Sequence, residues 1–375
     1  MKQRVYYIVG GGTSGHVNPA LSIAESIQER DPNSKIVFFV TRDGVEYEMI
    51  QNAGFPYKVI EASRLPNSAK KLFSFVKTSF SGYRNCIRIL HEERPSAVIG
   101  TGGFVCAPLL LAAMRLRVPY LIHEQNAFPG KANRFFAKKA QAVCISFDSS
   151  KEHFKNTAKI HFTGNPVRKV FFEISSEEAR RRLDISSEKF IVLIMGGSLG
   201  ANSINQAIID LFETNMWQEV KAEFPELMLV MSTGSRNYNA LNNTLSSYEN
   251  EDFIMKSYLD TTLWLPASDL YIGRSGASAC FEAAATSKPA IFIPYVHAAD
   301  NHQFFNAQSF VKRKAAGLIE EKDFDAKILV EKIKYLIENR QVLHSMSKQA
   351  KSLAKPNAAS EIVDILEKIV SVNLD

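Results

Sequence analysis

Three glycine-rich turns contain residues whose types and spacing could do chemistry. They occupy residues 10–16, 196–201 and 273–277, and each follows an apolar run and precedes a segment of helical periodicity. Glycine lets a ligand approach the backbone closely, and a helix N-terminus offers free N–H groups and about half a positive charge. Three such turns in two halves of one chain predict twin nucleotide-type folds that face each other across a cleft.

The first turn has the GxGxxG spacing of dinucleotide-binding proteins through Gly10, Gly12 and Gly15. An acidic residue should then follow the next strand, but Asp43 comes late, so the fit to NAD is poor. The turn also lacks the Gly-Lys-Ser/Thr of a P-loop, which argues against an ATPase. It presents His16 at the start of a helix, where the imidazole could act as a general base, orient an acceptor, or only cap the helix.

The strongest local cluster lies between residues 269 and 306. Backbone N–H groups of residues 274–277 could hold a pyrophosphate, and Glu282 follows at a distance suited to vicinal ribose hydroxyls. Side chains suited to hydrogen-bonding a sugar come after the next strand: Asn301, His302, Gln303 and Asn306. The alternative is a solvated Glu282 and a His302 that caps its helix.

Polar residues also follow two neighbouring strands of the first half, at residues 100–104 and 123–126. His123 and Glu124 could be imagined as metal ligands, but no third and fourth ligand lies at a supportive spacing. We therefore predict no metal site, and we expect both groups to point into the same crevice.

Residues 65–94 combine leucines and phenylalanines with lysines and arginines. Exposed apolar side chains flanked by basic ones could dock on an anionic membrane surface. The alternative is an amphipathic helix with its aromatic side chains in the core, and one helix could serve both roles.

The composition is that of an ordinary globular chain of two domains. The chain has 375 residues, 46% hydrophobic and 22% charged, and a formal net charge of +6. We expect neither a signal peptide nor a bilayer-spanning segment. The cysteines are widely spaced without a CxxC pair, which favours reduced, buried thiols: Cys86, Cys106, Cys144 and Cys280.

Apolar runs alternate with helical periodicity, which predicts an α/β fold with parallel, doubly wound sheets. Strands are predicted at 5–9, 35–40, 97–100, 120–123 and 142–146, and again at 190–195, 227–232, 270–273 and 290–294. A helix is predicted from about Pro19 to Glu29. We place the domain boundary after residue 163, where glycine and proline precede a charged helix at 177–183, and we predict a last helix at 358–370.

Six blocks in order resemble the MurG family, the N-acetylglucosaminyltransferases of bacterial peptidoglycan synthesis in glycosyltransferase family 28. They are residues 11–21, 123–126, 164–168, 196–201, 274–277 with Glu282, and 302–303 with Asn306. The resemblance implies a GT-B fold of two Rossmann-like domains whose parallel sheets face each other across a deep cleft. It also implies an inverting transfer from UDP-N-acetylglucosamine (UDP-GlcNAc) to lipid I, undecaprenyl-pyrophosphoryl-MurNAc-pentapeptide, which gives lipid II.

The resemblance implies an acceptor and membrane domain at 1–163, a UDP-GlcNAc domain at 164–350, and a C-terminal helix within 351–375 that packs back on the first domain. It implies catalytic roles for His16 and Asn126, and acceptor binding by Thr13, Ser14, Gly15 and Gly103. The donor-binding residues that it implies are Arg168, Ser198, Asn205, Tyr258, Ser275, Gly276, Ala277, Glu282, His302, Gln303 and Asn306. Such enzymes need no cofactor or metal, because the helix dipole and Arg168 would stabilise the charge on UDP.

The resemblance further implies a peripheral location on the cytoplasmic face of the cell membrane. The chain departs from the family pattern at Ser14, at Leu199 and at residues 278–280, which leaves room for another sugar or acceptor. The alternatives are a UDP-sugar 2-epimerase, another lipid glycosyltransferase of the same fold, and a non-catalytic UDP-sugar-binding paralogue. Nucleic-acid binding is not expected, since no basic stripe is interleaved with aromatic residues.

Overall fold

A computed structural model of the chain describes residues 3–66, 68, 70, 72–154, 159–197 and 200–372. Their contacts divide them into two units. Unit 1 comprises the described residues up to Arg168 and those from Lys355 onward, and unit 2 comprises Lys169–Ala354. The first boundary therefore lies after Arg168, a few residues beyond the position expected from the sequence.

Each unit is built on one parallel sheet. The sheet of unit 1 contains β1 (Val5–Gly10), β2 (Lys35–Val40), β3 (Tyr57–Val59), β4 (Ala97–Gly102), β5 (Tyr120–Glu124), β6 (Ala142–Ile145) and β7 (Ile160–Phe162). The sheet of unit 2 contains β8 (Phe190–Met195), β9 (Leu227–Ser232), β10 (Phe253–Lys256), β11 (Leu270–Gly273), β12 (Ala290–Phe292) and β13 (Ala316–Leu318). The strand orders are β3-β2-β1-β4-β5-β6-β7 and β10-β9-β8-β11-β12-β13.

The helices cover the sheets. Those of unit 1 are α1 (Ser14–Arg30), α2 (Val45–Asn52), α3 (Leu72–Glu93), α4 (Cys106–Leu116), α5 (Lys131–Phe136) and α16 (Ala358–Val372). Those of unit 2 are α6 (Val170–Glu173), α7 (Ser176–Arg182), α8 (Asn202–Glu213), α9 (Met216–Glu223), α10 (Tyr238–Leu245), α11 (Thr261–Ala267), α12 (Ala277–Ala285), α13 (His302–Lys312), α14 (Ala326–Glu338) and α15 (Arg340–Leu353).

The core of unit 1 lies on both faces of its sheet. Successive side chains of a strand point to opposite faces, so Tyr6 and Ile8 of β1 pack with α1 and α16, whereas Tyr7 and Val9 pack with α3 and α4. Arg30 of α1 forms an ion pair with Asp364 of α16. The last helix of the chain is therefore part of unit 1.

The core of unit 2 is built on the same plan. The inward side chains of β8, from Phe190 to Ile194, pack with α8 residues such as Ile204 and Ile208 and with α14.

All four cysteines of the chain are buried and unpaired.

Two differences from the sequence expectations have simple causes. The first helix begins at Ser14, well before Pro19, which lies inside it. Proline lacks only its own N–H, so the main-chain bond lost is the one to the Gly15 carbonyl, within the first turns. The sequence also missed four strands, β3, β7, β10 and β13, and these are the edge strands of the two sheets.

Candidate functional site

The first glycine-rich turn connects β1 to α1 in unit 1. The pairing of β1 with β4 shifts register after Val9, and the Gly11 N–H then donates to the Gly102 carbonyl at 3.2 Å. Thr13 precedes α1 in an extended conformation, and its side chain makes no capping bond. The first turn of α1, from Ser14 onward, therefore opens with backbone N–H groups that the Thr13 side chain does not satisfy.

Glu46 of α2 holds this turn in place. Its carboxylate is fully buried and accepts the Gly12 N–H at 2.9 Å, the Thr41 N–H at 3.3 Å and the Thr41 hydroxyl at 2.5 Å. A Cβ at Gly11 would lie 2.6 Å from the Glu46 carboxyl carbon, which explains the glycine there. The acid that follows the second strand thus binds the protein's own turn. Asp43 was the only acid that the sequence pattern singled out in this region, and the role of Glu46 was not predicted.

His16 does not cap its own helix. Its Nδ1 atom lies 3.1 Å from the Thr101 carbonyl oxygen and 3.0 Å from Gln125 Oε1, so its side chain is tied to the ends of β4 and β5. The Thr101 hydroxyl in turn donates to the His16 carbonyl at 2.8 Å. Burial lowers the pKa of the imidazole below its ordinary value of 6.5, although the hydrogen bonds and Glu46 oppose this. The ring is therefore held neutral near pH 7.

Two glycines make room for this imidazole. Gly102 has φ +111°, and a Cβ there would lie 2.9 Å from His16 Nδ1. Gly103 has φ +85°, and its Cβ would lie 2.0 Å from the Gly11 carbonyl oxygen and 3.3 Å from His16 Cδ2. The structure brings Gly103, Thr13, Ser14, Gly15 and His16 together at one end of the unit 1 sheet.

Glu124 shapes the loop that carries Asn126. Its buried carboxylate accepts the Asn126 N–H at 2.9 Å, the Asn126 amide at 3.2 Å, the Gly130 N–H at 3.0 Å and the Asn133 amide at 2.9 Å. Burial raises the pKa of this carboxyl against the effect of those donors. Glu124 therefore orients Asn126, which is half-buried beside the His16 network. Among the described residues, no group of three or more His, Cys, Asp or Glu side chains could hold a metal ion.

The third glycine-rich turn, in unit 2, is held by α13. The Ser275 hydroxyl donates to the Gln303 carbonyl at 2.8 Å, and the Asn306 amide donates to the Ser275 carbonyl at 3.1 Å. Gln303 Oε1 accepts the Tyr295 N–H at 3.0 Å. Asn306 is fully buried, so its placement favours support of this turn over direct contact with a ligand.

Gly276 precedes α12 with φ −59° and ψ 145°, a conformation open to any residue. A Cβ at this position would meet no atom of the described residues within 4 Å. Neither its conformation nor packing against the described residues therefore explains the glycine.

The charge of Arg274 is paired with an acidic side chain of unit 2. This buried side chain forms an ion pair with Glu321, donates to the Ile293 carbonyl at 3.0 Å and lies over the Tyr295 ring. Burial alone would raise the pKa of the Glu321 carboxyl, but Arg274 and the other donors lower it. Arg274 therefore fixes the loop after β12.

The second glycine-rich turn requires glycine at two positions. Gly197 and Gly200 have φ +87° and +81°, and a Cβ at Gly200 would lie 2.2 Å from the Thr233 carbonyl oxygen. Asn205, in the helix that follows, is 4% exposed, and neither its Oδ1 nor its Nδ2 atom has a hydrogen-bond partner in the described parts of the chain. Buried amides are normally paired, so Asn205 offers two unsatisfied groups. Ser198 lies outside the described residues.

The remaining residues expected at the donor site are spread over several elements. Glu282 is half-buried on α12, Tyr258 is 74% exposed after β10, and His302 begins α13 with its Nδ1 atom 2.8 Å from the Ala299 carbonyl. Arg168 was expected in the donor domain, but by its contacts it is the last residue of the first part of unit 1.

Helix α3 has an exposed apolar face. Its members, Leu72, Phe73, Val76 and Phe80, are 49, 81, 54 and 58% exposed. Further along the same helix, Cys86, Ile89 and Leu90 are buried in the core of unit 1. The first half of α3 thus presents apolar side chains outward and the second half packs inward. No helix of the described residues is long and apolar enough to cross a bilayer.

The fold and the positions of these turns define a GT-B protein, with two parallel-sheet α/β units that bear glycine-rich turns where strands end. Residues 6–145 match the glycosyltransferase family 28 N-terminal domain, and residues 191–362 match the C-terminal domain of the same family. The chain therefore belongs to glycosyltransferase family 28.

Individual relatives extend over the whole chain. A protein of Caldanaerobacter subterraneus subsp. tengcongensis, named UDP-N-acetylglucosamine--N-acetylmuramyl-(pentapeptide) pyrophosphoryl-undecaprenol N-acetylglucosamine transferase, is 35% identical over 97% of this chain and 99% of its own. The crystal structure of Acinetobacter baumannii MurG superposes with a TM-score of 0.73 at 25% identity, over 97% of this chain and 99% of that one. Neisseria meningitidis UDP-GlcNAc 2-epimerase, bound to UDP-GlcNAc, has a TM-score of 0.68 at 14% identity, over 98% and 100%, which is similarity in fold alone.

Proposed function

We infer that this chain transfers N-acetylglucosamine from UDP-GlcNAc to the 4-hydroxyl of the N-acetylmuramoyl group of lipid I, forming lipid II for peptidoglycan synthesis. The observation that carries this inference is the extent of the similarity. A relative named for this transfer is 35% identical over 97% of the chain, and both domains of the family are present.

We propose that the donor diphosphate binds at the N-terminus of α12. The helix dipole and its first N–H groups favour an anion there, and the open space at Gly276 leaves the backbone accessible. Ser275 and Ala277 flank that position. The Asn205 Nδ2 group, which has no partner among the described residues, would donate to an oxygen of the same diphosphate. Arg168 and Ser198 would add a cation and a hydroxyl.

The other donor contacts follow from side-chain chemistry. The Glu282 carboxylate would accept the ribose hydroxyls, and the exposed ring and backbone of Tyr258 would lie beside the uracil. The Gln303 Oε1 atom already accepts a backbone N–H, so its Nε2 group is the part suited to a sugar hydroxyl. His302 and Asn306 would support that sugar contact from the start of α13.

The acceptor is proposed to bind at the first turn of α1. Its pyrophosphate would lie on the N–H groups of Ser14 and Gly15, next to Thr13 and Gly103, for the same electrostatic reason as at α12. Asn126 would hold the reacting sugar. His16 is neutral near pH 7, so its imidazole can accept a proton.

The transfer inverts the anomeric carbon. The acceptor oxygen bonds to C1 of GlcNAc while its proton passes to His16 Nε2, and the C1–O bond to UDP breaks with its electron pair leaving on the diphosphate. The helix dipole of α12 and the Arg168 guanidinium would stabilise the charge that develops on UDP, an effect commonly worth several kcal/mol in a dry site, on the order of 3 kcal/mol for one donor.

The test is a transfer assay with UDP-GlcNAc and a short-chain analogue of lipid I. We expect the disaccharide product and UDP only when both substrates are present. Consumption of UDP-GlcNAc without acceptor, with inversion at C2, would identify a 2-epimerase instead. Binding of UDP-GlcNAc without turnover in either mixture would identify a non-catalytic paralogue.

We also propose that the apolar face of α3 docks on the anionic, cytoplasmic surface of the membrane where lipid I resides. Its four apolar side chains are exposed side by side, and Lys77, Arg84 and Arg88 lie on the same helix. Buried phenylalanine side chains supply about 1.5–3 kcal/mol each, and each nearby cation adds about 1 kcal/mol at an anionic surface.

Vesicle co-sedimentation tests this docking. With phosphatidylglycerol vesicles, Phe73→Ser should weaken binding about tenfold or more, since most of the ring is exposed and available for burial. Tyr335→Ser is the matched control, because this aromatic residue is 50% exposed on α14 of unit 2. Equal binding of the Phe73→Ser variant and the unchanged protein would exclude docking through this face.

A further inference from the structure

A series of hydrogen bonds runs from His16 through Gln125 to His123, and the donor and the acceptor of each bond can be assigned. The Thr101 carbonyl can only accept. It lies 2.6 Å from Gln125 Nε2, which fixes the orientation of that amide, and 3.1 Å from His16 Nδ1, which must therefore carry a proton. With its amide in this orientation, Gln125 turns Oε1 toward the same His16 Nδ1 at 3.0 Å.

The hydrogen bonds of His123, at the other end of this series, agree with the assignment. Gln125 Nε2 lies 3.1 Å from His123 Nδ1, so that nitrogen accepts. The proton of the neutral His123 ring is then on Nε2, which lies 3.2 Å from the Gly164 carbonyl oxygen. Burial lowers the pKa of His123 to about 4, so the ring stays neutral at physiological pH. The two histidines thus hold opposite tautomers, and Gln125 contacts both rings.

We propose that Gln125 is a positioning residue that, together with the Thr101 carbonyl, fixes the His16 tautomer, with the proton on Nδ1 and the lone pair on Nε2. In the opposite tautomer, the Nδ1 lone pair would face the acceptor oxygens of Thr101 and Gln125. Neither oxygen would then receive a hydrogen bond from the imidazole. No described residue forms a hydrogen bond with His16 Nε2. The arrangement leaves that nitrogen as the one able to accept a proton.

This inference rests on the proposed function only for its consequence in catalysis, where His16 Nε2 takes the proton of the acceptor hydroxyl. The tautomer itself belongs to the free protein and can be measured without substrate. The groups around His16 that carry or can carry charge are Glu46 of α2, which favours the imidazolium form, and His123 of β5.

The first experiment is two-bond ¹H–¹⁵N correlation spectroscopy of the ¹⁵N-histidine-labelled full chain at neutral pH. We expect the His16 pattern of a ring protonated on Nδ1 and the His123 pattern of a ring protonated on Nε2. His16 protonated on Nε2 in the unchanged protein would overturn the proposal. This readout needs no variant, so a folding defect cannot obscure it.

The second experiment is a pH titration of the Gln125→Leu variant by the same spectra. Leucine removes the Oε1 acceptor whose hydrogen bond raises the pKa of His16, so the His16 titration midpoint should fall by about 0.5 pH unit or more. Gln141→Leu is the matched control, because Gln141 accepts the Tyr120 N–H at the opposite end of β5, away from His16. A His16 midpoint that is the same in both variants would overturn the contact.

The acid limb of the transferase pH profile separates this inference from the proposed function. If His16 is the base, the acid limb of the Gln125→Leu variant should move together with the His16 titration midpoint. A midpoint that moves while the limb stays would uphold the role of Gln125 and remove His16 as the base.

Discussion

Gly276 offers a sharp test of whether a ligand approaches the N-terminus of α12. Alanine can adopt the backbone conformation of this position, and its methyl group would meet no described residue within 4 Å. Alanine is a poorer N-cap than glycine, which destabilises the folded protein by about 0.5–1 kcal/mol. It also restricts the unfolded chain, which stabilises the folded protein by about the same amount. We expect Gly276→Ala to change the free energy of unfolding by less than about 1 kcal/mol.

The effect on donor binding should be much larger. The methyl group would occupy the space through which a diphosphate oxygen reaches the N–H groups of α12. A hydrogen bond to a charged group contributes about 1.5–3 kcal/mol, which corresponds to about a 10- to 150-fold change in affinity. We expect the Kd of UDP to rise within this range while the protein stays folded.

Calorimetric titration with UDP measures this Kd, and urea unfolding measures stability in the same preparation. Gly200→Ala is the informative contrast. Gly200 has φ +81°, and a Cβ there would lie 2.2 Å from the Thr233 carbonyl oxygen, so alanine should disturb the folded structure itself. That variant should lose stability as well as binding. An unchanged UDP affinity in stable Gly276→Ala would refute the placement of the diphosphate at α12.

Three further predictions concern single side chains. Glu46→Ala should lower the free energy of unfolding by about 2–4 kcal/mol, because it leaves the Gly12 N–H without its partner. In the same urea titration, Glu48→Ala, at an exposed position, should change the free energy of unfolding by less than about 0.5 kcal/mol. Glu282→Ala should chiefly raise the donor KM with little change in kcat, and steady-state kinetics with an unchanged KM would reject the ribose contact. His16→Ala should reduce turnover about 10²- to 10⁴-fold, and the acid limb of kcat/KM in the unchanged enzyme should lie below pH 6.5 because burial lowers the pKa of the base. A loss of less than about tenfold, with the same pH profile, would exclude His16 as the base.

The strands that the sequence predicted are the ones buried on both faces. Residues 36–40 and 190–195, for example, are apolar throughout, and they lie in internal strands of the parallel sheets. The four missed strands are edge strands of three or four residues. An edge strand is covered less completely, so β3 and β7 retain exposed or half-buried residues and no continuous apolar run.

The site was predictable wherever a residue type alone restricts its role. Gly103 and Gly200 are required by positive φ angles and close backbone contacts, and the sequence had predicted that both lie in turns that bind a ligand. The roles of Glu46 and Gln125 were not predictable. Each acts on a partner far along the chain, 34 residues away for Gly12 and 109 residues away for His16.

The sequence by itself determined the alternation of strands and helices, the positions of the glycine-rich turns and the burial of the cysteines, because each depends on local periodicity or on the properties of one residue type. Only the tertiary structure decided which side chains hold those turns. The strand order β2-β1-β4-β5 brings Glu46, His16 and Gln125 to one end of a sheet from three separate segments. Directional hydrogen bonds then set the conformation of the first turn and the tautomer of His16, and such bonds exist only once distant segments have packed together.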